Sequence, residues 1–195
     1  LIVSSQSFGG TAPSFQLLVN DSKTIESIQN VTATLPIMQK TCFIKANGRT
    51  LPVNVAGVDF AQYQNIYSST FIAAAGSIPS NPSNESIVVG ARIHDPRQNG
   101  TTIVNVNDTV QIIWPTVSGL SRENKTYTGN VSAVLNEIGG FNIGGPSDLG
   151  VYIPISQAQS FFGTEQVNVI IVQLSKSDDT TIKDVSAAIK SAISS

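Results

Sequence analysis

The sequence predicts an α+β protein in which two strand–helix–strand halves share one sheet and bracket an inserted β-rich segment. Three observations carry this. The chain begins with a strand–helix–strand pattern and ends with a strand–helix–strand–helix pattern, and the stretch between is rich in turns with short strand-like runs. On this reading residues 1–67 and 150–195 make one discontinuous α/β subdomain, and residues 68–149 the insertion.

The elements follow in order. Gly9-Gly10 and Pro13 interrupt the start, and 15–19 reads as a short buried strand. Asp21 or Ser22 can cap a helix from near Lys23, with Ile25, Ile28 and Val31 on one apolar face. After Pro36 the residues Ile37, Met38, Thr41, Phe43 and Ile44 form a strand leading into Asn47-Gly48. That dipeptide is a strong hairpin signal, because both central residues of a type I′ turn need positive φ. The return strand is 51–58, and Asp59 then caps a short helix through Tyr63, Ile66 and Tyr67.

In the insertion, Pro79, Asn81 and Pro82 make turns before a strand at 86–90. Further strands are expected at 101–106, 109–114 and 125–135, with a hairpin at Asn107-Asp108, an irregular stretch at 114–125 and a flexible loop over 139–146. Beyond it, 149–153 reads as a strand ending at Pro154, and Ser156 as the cap of a helix through Phe161-Phe162 to Gly163. Residues 167–174 are the most hydrophobic run and read as a central strand buried on both faces. The final helix, 178–195, carries Ile182, Val185, Ile189 and Ile193 at helical spacing.

Composition narrows the function. The 195 residues are 41% hydrophobic, sufficient for a core, but only 12% charged, against about 25% in an ordinary domain. With 11 Lys plus Arg and a net charge of −2, no nucleic-acid surface is implied. No apolar run reaches the ~18 residues that a membrane span needs. A single cysteine, Cys42, excludes an internal disulfide and a multi-Cys metal site, and a single histidine, His94, excludes a His cluster. No catalytic residue, metal or cofactor is expected. The start at Leu1 without Met marks the chain as processed or as a piece of a longer protein.

Neutral polar residues fill the gap that charge leaves: 24 Ser, 16 Thr and 15 Asn. Asn-x-Ser/Thr acceptors occur at Asn20, Asn30, Asn84, Asn99, Asn107, Asn124 and Asn130. This composition would produce about three by chance. The excess favours a glycosylated surface outside the cell, and the alternative is that such a chain makes sequons at random. Low charge also suits an acidic exterior, where carboxylates protonate and leave positive charge unpaired.

Other candidates for chemistry are few. His94-Asp95 could serve a Ser nucleophile, but no Gly-x-Ser-x-Gly elbow accompanies them and a structural turn explains the pair. The 139–145 glycines lack the Gly-Lys-Ser/Thr ending of a phosphate loop. Glu26, Glu85, Glu123, Glu137 and Glu165 are too dispersed to suggest a carboxylate pair. Cys42 reads as a small core residue. The partner-binding candidates are Phe141 and Ile143, apolar residues in a glycine-rich loop, and Trp114 before Pro115.

Four segments carry a family resemblance: Val55-Ala56-Gly57-Val58-Asp59 with the following helix, Ser86-Ile87-Val88-Val89-Gly90-Ala91, the 126–135 strand running into the glycine loop, and Asp148-Leu149-Gly150-Val151-Tyr152-Ile153-Pro154-Ile155 followed by Gln157-Ala158-Gln159. In this order the chain resembles the MacB-like periplasmic core domain of ABC-transporter permeases, including the MacB, FtsX and lipoprotein-release groups. It departs from the family at 92–100, where a short stretch replaces a longer helix and loop, and at 114–125. The resemblance implies a membrane-proximal porter-like part (the bracketing halves) and a sabre-like insertion. It implies an extracytoplasmic domain at the cell membrane with no active site of its own. Its role would be to transmit ATP-driven motion of membrane helices and to contact substrate or partner outside the membrane. The implied partners are a cognate ABC ATPase subunit, a second permease copy and an extracellular partner. The alternatives are a secreted or surface-layer glycoprotein module that binds or scaffolds, and a secreted hydrolase using His94.

Overall fold

The computed structural model describes residues 1–4, 16–140 and 144–193. Among them, strands and helices run in the order β1 (Ile2–Ser4), α1 (Asp21–Glu26), β2 (Val31–Ala46), β3 (Arg49–Val58), α2 (Phe60–Ile66), β4 (Ala73–Gly76), β5 (Ser86–Val89), α3 (Ala91–His94), β6 (Thr109–Ser118), β7 (Ser121–Leu135), β8 (Gly150–Pro154), α4 (Ile155–Phe162), β9 (Val169–Leu174) and α5 (Asp179–Ile193). The α+β class is as the sequence predicts. The chain divides into two units, Leu1–Met38 with Thr164–Ser195, and Gln39–Gly163. These boundaries differ from 67/68 and 149/150. The reason is pairing: β3 runs parallel to β8 from Asn54↔Gly150 to Val58↔Pro154, and β8 is bonded in turn to β5, so these strands group with the middle of the chain.

In the first unit β9 lies between β1 and the first part of β2, antiparallel to both, with Ile2↔Ile171 on one side and Leu35↔Ile171 on the other. A strand paired on both edges and covered on both faces must be apolar throughout. Val169, Ile170, Ile171 and Val172 are accordingly all buried. α1 and α5 pack together, burying Ile25, Val185 and Ile189, while Ile182 and Ile193 are half-buried. Asp178 caps α5 by accepting from the Thr181 N–H at 3.0 Å and its hydroxyl at 2.8 Å, which holds its carboxyl below the usual range.

Several expectations are corrected here. The 15–19 strand lies partly outside the described residues, and within them only an isolated Leu18–Gln166 bridge forms. α1 begins at Asp21 after Asn20, earlier than Lys23. Asp21 instead accepts from the Leu18 N–H at 2.8 Å, and the Ser22 hydroxyl donates to the Val19 carbonyl at 2.6 Å. Since α1 ends at Glu26, Ile28 and Val31 are not on its face. β2 starts five residues before Pro36, because pairing with β9 extends to Val31↔Leu174.

In the second unit the Asn47-Gly48 turn is left-handed at both residues, φ 49° and 75°, as a type I′ turn requires. The Asp59 side chain accepts from the Gln62 N–H at 3.0 Å and caps α2. Asp59→Ala is expected to cost about 1 kcal/mol, read from the denaturant midpoint at unchanged slope. An unchanged midpoint would remove the cap from the account.

The 101–106 strand does not form. Ile103 and Val104 are buried, but their backbone groups bond to loops: the Ile103 N–H to the His94 carbonyl at 2.8 Å, the Asn47 amide to the Ile103 carbonyl at 2.8 Å, and His94 Nδ1 to the Val104 carbonyl at 2.6 Å. Asn107 therefore makes a turn, φ 73°, but no hairpin. The irregular 114–125 stretch is instead a regular antiparallel ribbon, paired from Thr109↔Asn130 to Ser118↔Ser121 and closed by Gly119-Leu120. β4 is an alanine-rich strand, Ala73–Gly76, that β-propensity gave no reason to expect. Pro154, rather than Ser156, occupies the N-cap of α4, whose left-handed C-cap is Gly163 at φ 63°.

The second unit's core is aromatic. Tyr63, Phe71 and Tyr152 are buried together, with ring centroids 4.8 Å (Tyr63–Phe71), 5.2 Å (Phe71–Tyr152) and 5.6 Å (Tyr63–Tyr152) apart. Burial raises all four phenols of the chain: Tyr152 and Tyr127 to about 12, Tyr63 and Tyr67 upward. Burial also pushes the Cys42 thiol up to about 12, against a smaller opposing pull from Lys40. Because these folded values are raised, the stability they contribute is complete below the ordinary values near 9 to 10. It is lost as pH rises through about 12. Native protein at pH ~10 should show less tyrosinate absorbance than the unfolded chain, which ionises about half its tyrosines there. Cys42 should resist thiol reagents at pH ~8.5 until denatured. Half-ionised tyrosines in the native state, or rapid Cys42 labelling, would contradict this.

Candidate functional site

Three surfaces of the second unit are candidates. The first is a groove of about 460 Å³ between β4, α3 and the end of β7. Its lining combines small or apolar residues, Ala74, Ala75, Ala91 and Leu135, with the polar Arg92, His94, Asp95, Gln98 and Glu137. β5 delivers Gly90, whose carbonyl accepts from the Ile93 and His94 N–H groups and starts α3. His94 is held by Nδ1 donating to Val104, and Asp95 accepts from the Gly100 N–H at 2.8 Å and the Asn99 N–H at 3.2 Å. Those backbone donors, Gly100 first, hold the Asp95 carboxyl below its usual range. The two residues thus each bond to the backbone, His94 to Val104 and Asp95 to the following loop. Gln98 donates its amide to Glu137. Among the described residues no group of three His, Cys, Asp or Glu side chains could hold a metal.

Beside it, the glycine-rich loop is held at both ends. Asp148 accepts from the Ile138 N–H at 2.8 Å and the Gly139 N–H at 3.0 Å, and the Tyr63 hydroxyl donates to the Gly144 carbonyl at 3.0 Å. Phe141 and Ile143 lie outside the described residues. The second surface centres on Trp114, which is half-buried. Its ring meets Phe162 of α4 edge-on at 4.9 Å and Phe161 at 6.2 Å, with Lys40 and Lys125 each 5.5 Å from its centre. The third is the tip of the β6–β7 ribbon, where Leu120 is fully exposed and Val117 is 74% exposed. Sequence reasoning missed the groove and this tip. The tip had a signal, apolar residues on either side of Ser118-Gly119; the groove, assembled from distant segments, had none.

The sequons are spread over both units. Asn20, Asn84, Asn99, Asn107, Asn124 and Asn130 are exposed, and Asn30 is half-buried.

The family model described as MacB-like periplasmic core domain matches residues 1–192. The chain belongs to that family. Solved structures of similar fold include the periplasmic region of MacB from Actinobacillus actinomycetemcomitans, with a TM-score of 0.67 and 15% identity, covering 97% of this chain and 81% of that one. The extracellular domain of the noncanonic ABC-type transporter YknZ from Gram-positive bacteria is similar at TM-score 0.66 and 14% identity, covering 93% and 86%. A domain of a putative permease protein from Porphyromonas gingivalis follows at 0.60 and 13%, covering 92% and 72%. No curated protein matches. Membership in the MacB-like periplasmic core domain family accounts for the α+β architecture and places this chain among extracytoplasmic parts of ABC-type transporters. No helix among the described residues is long and apolar enough to cross a membrane.

Proposed function

We propose that this MacB-like domain is the extracytoplasmic lever of an ABC-transporter permease subunit. It passes ATP-driven motion of membrane helices to a substrate or partner outside, without a reaction centre of its own. One observation carries the lever reading: β1 and α5, at the two ends of the described chain, belong to the same unit. Val172 of β9 receives the Leu1 amine at 3.0 Å and donates its N–H to the Leu1 carbonyl at 2.7 Å, and α5 packs on α1. A displacement arriving through either end enters the same close-packed unit, and a close-packed body moves as a unit rather than deforming. The partners on this reading are a cognate ATPase subunit and a second permease copy, with the ribbon tip and groove as candidate contact surfaces.

The test uses the full-length permease with its ATPase in a bilayer. A spin label at Leu120→Cys reports the distance between two copies, with buried Cys42 left unlabelled. Lever action predicts a distance distribution that shifts between the nucleotide-free and ATP-analogue states. A distribution that nucleotide leaves unchanged, or the lack of any pair distance, would sink the proposal.

A further inference from the structure

The β6–β7 ribbon has two unlike faces. Pairing places Val110, Ile112, Trp114, Tyr127 and Gly129 on one face, buried or half-buried, with Trp114 and Tyr127 against α4. The opposite face carries Thr109, Gln111, Pro115, Asn124, Thr126, Thr128 and Asn130, which are exposed, with Ile113, the cross-strand partner of Thr126, half-buried among them. A transferase that modifies a sequon must reach both the Asn amide and the hydroxyl two residues on. In a strand, residues i and i+2 project from the same face, so Asn124 and Thr126 stand side by side toward solvent.

The other sequons differ in ways the structure makes explicit. Ser22 and Ser86, the hydroxyl residues for Asn20 and Asn84, are 8% and 6% exposed, and their hydroxyls bond to the Val19 carbonyl and to Ser83. Asn30 is left-handed at φ 72°, and its side-chain oxygen accepts from the Ser175 hydroxyl at 3.2 Å. Asn107 and Asn130 are interlocked: Thr109, which completes the Asn107 sequon, donates its hydroxyl to the Asn130 side-chain oxygen at 2.9 Å. Asn99 and Thr101 are both exposed, and the Asn99 side-chain oxygen accepts from the Thr101 N–H at 3.0 Å, a bond within the sequon that holds its two ends together, in a loop where a side chain at Gly100 would meet nothing within 4 Å.

We propose that the fold sorts the seven sequons, and that N-linked glycan is carried at Asn124 on the open face of the ribbon and at Asn99 in its exposed loop. The donor class is a polyprenyl-phosphate- or diphosphate-linked oligosaccharide. The Asn amide nitrogen attacks the anomeric carbon, an N–C bond forms as the C–O bond to phosphate breaks, the amide loses one proton and the lipid (di)phosphate leaves. No redox change occurs.

The test is glycopeptide mass mapping of the full-length protein purified from its own cells, with the chain made in a non-glycosylating host as the unmodified reference. The expected result is glycan on the Asn99 and Asn124 peptides. Thr126→Val, which leaves Asn124 in place, and Asn99→Gln should each remove one glycan mass, while Asn20→Gln and Asn84→Gln should remove none. Bare sequons throughout, or occupancy at Asn20 and Asn84 equal to that at Asn124, overturns the proposal. Since neither ATP nor a second copy enters this experiment, its failure is separate from failure of the lever reading.

Discussion

Replacing Gly90 by Ala is expected to destabilise the protein by about 3 kcal/mol. The cause is space. A Cβ at this position would lie 2.4 Å from the Asp148 carbonyl oxygen, 2.6 Å from its carbon and 2.6 Å from the Ser147 carbonyl oxygen, all backbone atoms. These cannot step aside cheaply. The Asp148 carbonyl accepts from the Arg92 N–H at 3.0 Å, the Ser147 carbonyl accepts from the Gly150 N–H at 3.0 Å, and the Asp148 side chain holds the start of the glycine-rich loop. Relief of the clash would break the link by which the Gly90 N–H donates to the Gly150 carbonyl at 2.8 Å, or else shift α3 and the groove lining with it. Gly140→Ala is the control, because a Cβ there meets nothing within 4 Å. The measurement is the urea midpoint of both variants. Equal midpoints would show that the 147–148 backbone yields more readily than its hydrogen bonds imply.

Phe71→Ala should cost more still, about 4 kcal/mol, or ~10 °C in melting temperature for a chain of this length. Phe71 is fully buried and meets three rings edge-on: Tyr63 at 4.8 Å, Tyr152 at 5.2 Å and Phe60 at 6.4 Å. Truncation removes its transfer energy and leaves a cavity that rings tethered to α2 and β8 cannot close. The tether is specific: the Tyr63 hydroxyl donates to Gly144, and the Tyr152 hydroxyl accepts from the Ser147 N–H at 2.8 Å. Phe43→Ala, on a side chain 39% exposed, is the comparison and should cost far less. Similar losses for the two would argue that the aromatic cluster is loosely packed.

Local chemistry made some elements legible from sequence. The Asn47-Gly48 turn, the Asp59 cap and the Gly163 terminus each rest on a residue whose conformational preference or side-chain acceptor is intrinsic to it. The strand at Val169–Leu174 was equally clear, since an uninterrupted β-branched run has few other stable places to go. Two of the errors share one cause, which is that their partners lie outside the segment itself. Residues 101–106 have strand composition, yet His94 and Asn47 satisfy the backbone at 103–104 and leave no ladder for it to join. Ala73–Gly76 has no strand composition, yet β7 supplies a partner, from Ala73↔Leu135 to Gly76↔Ala133. Of the partner-binding candidates, Trp114 stands out in the sequence by its residue type alone, and only the packed structure places it on Phe162 with Lys40 and Lys125 near its ring.

Composition and local pattern by themselves determined the α+β class, the scarcity of groups able to do chemistry, and an excess of glycan acceptors. These are properties of residues taken one short segment at a time, and periodicity and capping report them directly. The tertiary structure alone decided where the units divide, which residues line the groove, that 109–130 is a two-faced ribbon, and which acceptors have their hydroxyl neighbour within reach. Each depends on strand register and on contacts between segments tens of residues apart. Their energies come from close packing and cross-strand hydrogen bonds, which a linear reading does not contain.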